Sequence, residues 1–129
     1  MKCTQFILNT LVRDKLITHY EHQGVDYEVL DDKKYVEQLK IKLIEEAHEV
    51  NTATGKNLLE EIADVLEIVH TLVKATGSSL EYIEEIRNKK LEIKGGFEKR
   101  LYITTLKLDE NHPHVAYYRA QPDKYPEIK

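Results

Sequence analysis

Residues 44–67 read IEEAHEVNTATGKNLLEEIADVLE, and this stretch decides how the chain folds. Apolar side chains recur at helical spacing before and after the segment TATGKN, whose glycine and small polar residues break the pattern. We therefore expect two helices that are joined by a short turn and pack antiparallel. Acidic side chains are dense along the same stretch, so the helices that build the core also carry many carboxylates.

Outside this stretch, the hydrophobic pattern predicts two more helices and a final segment without a clear period. The predicted helices cover residues 11–22, 33–51, 58–76 and 80–94. The expected caps are Asp31 or Asp32, then the capping boxes Asn57–Glu60 and Ser78–Glu81. Residues 101–108 alternate in polarity, which predicts a strand. The sequence therefore predicts an all-α helical bundle with a small extended or β appendage. Residues 1–108 would form the domain and residues 109–129 a C-terminal arm.

The composition narrows the classes of protein to which the chain can belong. Its 129 residues are 33% charged and 41% hydrophobic, which suits one globular domain. A net charge of -4 argues against a nucleic-acid polymer as partner. The single cysteine, Cys3, excludes an internal disulfide and fits a reducing compartment. No signal-like apolar segment stands at the N-terminus and no apolar run is long enough to span a membrane, so we expect a cytoplasmic protein without a membrane partner.

A helical projection separates the carboxylates of the central stretch. Glu46 falls inside the apolar stripe of its helix, Glu49 lies just beyond the edge, and Glu61 lies at the edge of the next stripe. Each could equally be a rim residue that reaches water. If the turn centres near Gly55, Glu49 is level with Glu61, and Glu46 is level with Asp64, although Asp64 projects further from its stripe. Four carboxylates would then converge, and such hard oxygen ligands suit Mg²⁺ or Mn²⁺.

A second metal motif competes with this arrangement. Glu45-x-x-His48 and Glu67-x-x-His70 match the Glu-x-x-His pattern of di-iron carboxylate bundles. The projection points His48 and Glu67 nearly opposite to their apolar stripes. The di-iron interpretation is therefore the least favoured, and both histidines are better explained as surface residues.

Two further patterns concern phosphate binding and assembly. Arg87, Lys90 and Lys94 lie on one line beside the apolar positions of the last helix. This line would suit phosphate groups, or it would be a solvated face with ion pairs. Ile41 and Ile44 point away from the main apolar stripe of their helix. A helix that is apolar on two sides is buried on two sides, so we expect a second subunit.

The acidic positions resemble a known family. EEAHE at residues 45–49, followed by EIAD at residues 61–64, resembles the EExxE…ExxD signature of the MazG-type all-α nucleoside triphosphate pyrophosphohydrolases. The superfamily includes the phosphoribosyl-ATP pyrophosphohydrolases. LVRDK at residues 11–15 and GGFEK at residues 95–99 also look similar to members of it. The resemblance covers residues 11–103.

The resemblance implies a helical bundle that forms a homodimer or higher homo-oligomer and hydrolyses a nucleoside triphosphate to the monophosphate and pyrophosphate. Such an enzyme serves house-cleaning or nucleotide metabolism and uses Mg²⁺, or Mn²⁺ in its place. Carried over by motif position, the implied metal ligands are Glu46, Glu49, Glu61 and Asp64. The implied catalytic carboxylates are Glu45, Glu46 and Glu49, with Glu45 holding the metal or orienting the attacking water.

Basic residues complete the expected site. Arg87, Lys90 or Lys94 would steady the leaving pyrophosphate, and Arg13 and Lys15 are further candidates for phosphate contact. Three alternatives stay open: a phosphoribosyl-ATP pyrophosphohydrolase, a non-catalytic helical module that binds nucleotide or a partner, and the di-iron protein. In the arm, Tyr117, Tyr118 and Arg119 would either cover a nucleotide base or serve only in packing.

Overall fold

A computed structural model describes residues 2–129, and in this range the chain forms helices and no strand. The all-α class is therefore confirmed. The helices are α1 (Asp14–His19), α2 (Asp32–Thr52), α3 (Gly55–Ala75), α4 (Leu80–Lys94) and α5 (His114–Arg119). The chain divides into two compact units, Met1–Ile93 and Lys94–Lys129. None of the described helices is long and apolar enough to cross a bilayer.

The α2–α3 hairpin is the centre of the first unit. The Asp31 side chain accepts a 2.9 Å hydrogen bond from the Lys34 backbone N–H, which caps α2 as predicted. Helix α3 begins at Gly55, three residues before its predicted start, and the capping box predicted at Asn57–Glu60 lies inside the helix. Gly55 has a φ of +57°, which other residues rarely adopt, so the chain reverses there and the helix follows at once.

The hydrophobic core of the first unit lies toward the open end of the hairpin. Leu39 on α2 and Val73 on α3 are the buried hydrophobic residues, with exposures of 1% and 8%. Both positions are far along their helices from the turn at residues 53–54. The acidic residues of the central stretch lie nearer the turn, so the core and the carboxylates occupy different levels of the hairpin.

The flanking helices of the first unit differ from the predictions at their ends. Helix α1 spans only Asp14–His19, because Arg13 is extended with ψ 145° and serves as its N-cap. Helix α4 has the predicted bounds. Its first turn is capped by Ser79, whose hydroxyl accepts from the Tyr82 N–H at 3.2 Å, and not by the predicted Ser78. Gly95, with φ +78°, follows the last residue of α4.

The second unit contains no strand, so the strand predicted at residues 101–108 is wrong. A single strand leaves its backbone groups unpaired, and the described residues provide no partner strand. The segment predicted as an irregular arm contains α5 instead. Arg119 donates to Glu110 at 2.6 Å and to Glu127 at 2.8 Å. The ring of Tyr118 meets that of Tyr125 edge-on at 5.0 Å.

Candidate metal centre

Three of the predicted carboxylates lie together on the α2–α3 hairpin. One oxygen each of Glu46, Glu61 and Asp64 lies within 4.8 Å of the others, and all three residues are half-buried. Glu61 and Asp64 are one helical turn apart on α3 and therefore share a side of that helix. The short connection between Thr52 and Gly55 brings Glu46 of α2 to the same level.

The electrostatics of this group are unfavourable without a cation. Partial burial raises the pKa of the Glu61 carboxyl above its ordinary value, and the charges of Asp64, Glu46, Glu49 and Glu60 raise the pKa further. Crowded carboxylates resist full ionisation because each charge repels the next. A divalent cation would remove this repulsion, so the charge distribution favours one.

The other two predicted carboxylates occupy different surroundings. Glu49 lies outside the group of three, is exposed, and acts on Glu61 only through its charge. Glu45 is also exposed, and one of its oxygens accepts a 3.0 Å hydrogen bond from the Lys42 ammonium. The structure thus brings Glu46, Glu61 and Asp64 together, and Glu45 and Glu49 lie outside this group.

A basic side chain reaches the group from the N-terminal segment. The Arg13 guanidinium donates through Nη2 to Asp64 Oδ1 at 2.7 Å. Among the ion pairs of residues 2–129, this is the one that involves a member of the group. The two residues are separated by 51 positions in the chain, and no spacing rule connects them. The helical projection directs Asp64 away from its apolar stripe, and in the structure this side chain contacts Arg13.

The other predicted phosphate-binding residues do not contact the group. Arg87 donates to both oxygens of Glu84, at 2.9 and 3.1 Å, within α4 itself. Lys15, Lys90 and Lys94 are exposed and form no ion pair in the described part of the chain.

Arg87 and Glu84 line a groove between α3 and α4. This groove has a volume of about 430 Å³, and the two charged residues stand beside its apolar walls. The lining residues are Leu66, Val69, His70, Leu80, Ile83, Glu84 and Arg87.

The di-iron motif does not assemble in the first unit. In the described residues, the group able to hold a metal contains no histidine. His48 and Glu67 are exposed, as the projection indicates, and Glu45 is paired with Lys42. His70 is not a surface residue as expected, because it is half-buried and lines a groove between α3 and α4.

The residues present fit a hard divalent cation. Oxygen ligands of Mg²⁺ stand about 2.1 Å from the ion, so two ligands lie at most about 4.2 Å apart. The three carboxylate oxygens fall within 4.8 Å of one another, so the side chains would have to move inward to coordinate one ion together. Carboxylates suit Mg²⁺ and Mn²⁺, and water would complete the coordination.

The chain gave no significant match to protein-family models, to curated proteins or to solved structures.

Proposed function

We propose that the chain is a Mg²⁺-dependent hydrolase that converts a nucleoside triphosphate to the monophosphate and pyrophosphate. The observation that carries the proposal is the approach of Glu46, Glu61 and Asp64 across the hairpin. These are also positions at which the sequence resembles the MazG-type signature. A small ion held by carboxylates commonly binds substrate phosphates as well, which makes a nucleotide a suitable substrate.

The carboxylates would have two roles, metal binding and proton transfer. Glu46, Glu61 and Asp64 would hold the ion, which would supply positive charge for the phosphates and would lower the pKa of the attacking water. Glu49 stands beside the group and forms no ion pair in the described residues, so it is suited to accept the proton of the attacking water. The water oxygen would join the α-phosphorus, and the bond from that phosphorus to the bridging oxygen would break. Pyrophosphate is the leaving group.

We further propose that a second copy of the chain completes the bundle, as a homodimer or a higher homo-oligomer. Leu39 and Val73 are the buried core residues, while Ile41 and Ile44 of α2 are 48% and 60% exposed. On α3, Leu59 and Leu66 are 68% and 54% exposed. Burial of apolar surface contributes about 25 cal/mol per Å², so these faces favour association.

The direct test is a screen of canonical and modified (d)NTPs, with phosphoribosyl-ATP included, in the presence of Mg²⁺. Pyrophosphate and nucleoside monophosphate would be measured for the wild type and for Glu46→Gln, Glu61→Gln and Asp64→Asn. Glu67→Gln is the matched control, because Glu67 is an exposed carboxylate on α3 outside the group. We expect turnover in the wild type and the control, and a loss of at least roughly 100-fold in the three variants.

Two results would contradict this proposal. The first is the absence of turnover with every triphosphate, which together with Mg²⁺ binding would favour a non-catalytic nucleotide-binding module. The second is full activity in all three variants. Release of orthophosphate in place of pyrophosphate would assign the cut to a different bond.

A further inference from the structure

One member of the acidic group already contacts a positively charged side chain, because the Arg13 guanidinium donates to Asp64 Oδ1 at 2.7 Å. The contact uses a single N–H of Arg13 and a single oxygen of Asp64. Guanidinium has five N–H donors, so most of its hydrogen-bonding capacity is unused in this pair. The Arg13 side chain is also 68% exposed, which leaves it accessible to a ligand from solvent.

The segment that carries Arg13 also contacts α2 through Thr10. Thr10 Oγ1 accepts a 3.2 Å hydrogen bond from the Lys42 ammonium, and Lys42 is only 22% exposed. Leu11 and Val12, which follow Thr10, are half-buried. The segment before α1 is therefore attached to α2, and the Arg13 side chain can change partner while its backbone stays in place.

Arg13 is also the basic residue best placed for a phosphate at this group. Arg87 uses its guanidinium on Glu84, and Lys42 is shared between Thr10 and Glu45. A phosphate offers a guanidinium two parallel charge-assisted hydrogen bonds, where Asp64 provides one. A phosphate bound beside the carboxylates would therefore compete well with Asp64 for Arg13.

We propose that Arg13 exchanges partners, from Asp64 in the free protein to a phosphate of a metal-bound diphosphate or triphosphate. This inference rests on the proposed function, since it requires a cation at Glu46, Glu61 and Asp64. The exchange releases Asp64 Oδ1, so the metal and the phosphate each favour binding of the other. Arg13 is then a phosphate-binding residue that also stabilises the metal-free carboxylates.

The test measures two affinities separately, with Mn²⁺ alone and with radiolabelled inorganic pyrophosphate in excess Mn²⁺. The proteins are the wild type, Arg13→Gln, Arg13→Lys and Glu61→Gln. Lys40→Gln serves as the control, because it removes a positive charge from an exposed residue of α2 that forms no ion pair in the described residues. Free Mn²⁺ can be followed by electron paramagnetic resonance, and pyrophosphate by equilibrium dialysis.

We expect opposite changes in Arg13→Gln. Mn²⁺ should bind roughly threefold to tenfold tighter, because a competing positive charge is removed. Pyrophosphate should bind roughly tenfold weaker or more, because the bidentate contact is lost. Arg13→Lys should fall between wild type and Arg13→Gln for pyrophosphate, and Lys40→Gln should match the wild type in both measurements.

The results also separate this inference from the proposed function. Weaker Mn²⁺ binding in Arg13→Gln would mean that Arg13 only orients Asp64, and unchanged pyrophosphate affinity would mean that it binds no phosphate. Either result overturns the exchange and leaves the metal site intact. Equal Mn²⁺ binding by the wild type and Glu61→Gln would instead remove the metal site, and the exchange with it.

Discussion

Glu46 on α2 and Asp64 on α3 carry carboxylate oxygens within 4.8 Å of each other, across the turn that joins the two helices. Asp64 has Arg13 as a counter-charge, and Glu46 has no ion pair among the described residues. Glu61 adds a third carboxylate to this pair. The mutual repulsion of the three charges is unfavourable, and a bound divalent cation would reduce it. The consequences for stability and cation binding can be measured without any nucleotide.

Mg²⁺ should stabilise the folded protein through this group. At a Mg²⁺ concentration 100-fold above the dissociation constant, the free energy of unfolding should rise by about 2.7 kcal/mol. Thermal denaturation with and without Mg²⁺ measures the effect, and Glu61→Gln should lose most of it. Glu67→Gln should respond as the wild type does. An identical response in wild type and Glu61→Gln would contradict binding at the group.

Stability should depend on pH through Glu61. The Glu61 pKa is raised above 4.5 in the folded chain, so the folded state keeps this proton at a higher pH than the unfolded state does. Without metal, the Glu61 contribution to stability should therefore fall as pH rises from 4.5 through the folded pKa. Denaturant titrations between pH 4 and 7 should show this fall in the difference between wild type and Glu61→Gln. A difference that does not change with pH would refute it.

Mg²⁺ affinity should change in the opposite direction over the same pH range. Protons and the cation compete for the Glu61 carboxylate, so affinity should rise as pH increases through the raised pKa. Calorimetric titrations at several pH values, with Glu67→Gln as control, check this. Affinity that stays constant as pH rises from 4 to 7 would contradict proton competition at Glu61.

A positive charge on the exposed apolar face of α2 should disrupt assembly. Ile44 is 60% exposed, and a lysine there would place an unpaired charge inside the proposed subunit contact. We expect the wild type to sediment as a dimer or larger species and Ile44→Lys as a smaller one. Glu67→Lys, which alters an already charged and exposed site, should leave the size unchanged. A monomeric wild type would exclude the proposed assembly.

The ion pairs of Arg119 should stabilise the C-terminal residues of the second unit. Its guanidinium contacts Glu110 and Glu127, and the Tyr118 and Tyr125 rings meet in the same unit. Arg119→Gln should increase amide hydrogen exchange over residues 120–129. Lys107→Gln, an exposed residue without an ion pair among those described, should not. Equal exchange in both variants would mean that the rings alone maintain the unit.

Much of the first unit follows from local rules. The helical periodicity predicts α2, α3 and α4, and the short turn at Gly55 predicts that Glu46 and Asp64 are level. The predicted start of α3 was wrong because the sequence offered a good capping box at Asn57, while the positive φ of Gly55 allowed an earlier start. Helix starts depend on backbone conformation that side-chain preferences only partly determine.

The rest depends on contacts between distant positions or on missing partners. The pairing of Arg13 with Asp64 spans 51 positions, and nothing in either neighbourhood encodes it. Residues 101–108 alternate as a strand does, but alternation cannot supply the second strand that the hydrogen bonds require. Helix α5 is too short for its periodicity to stand out.

The connection between α2 and α3 fixes the spacing of the acidic group. Ala53 and Thr54 are both extended, and Gly55 turns the chain directly into α3. One inserted residue would displace α3 by a fraction of a turn relative to α2, with a rotation of up to about 100° and a shift of about 1.5 Å per residue. Both helices would survive such an insertion, but Glu61 and Asp64 would no longer oppose Glu46. The length of a loop that carries none of the three carboxylates is therefore as much a requirement for the proposed metal site as the carboxylates themselves.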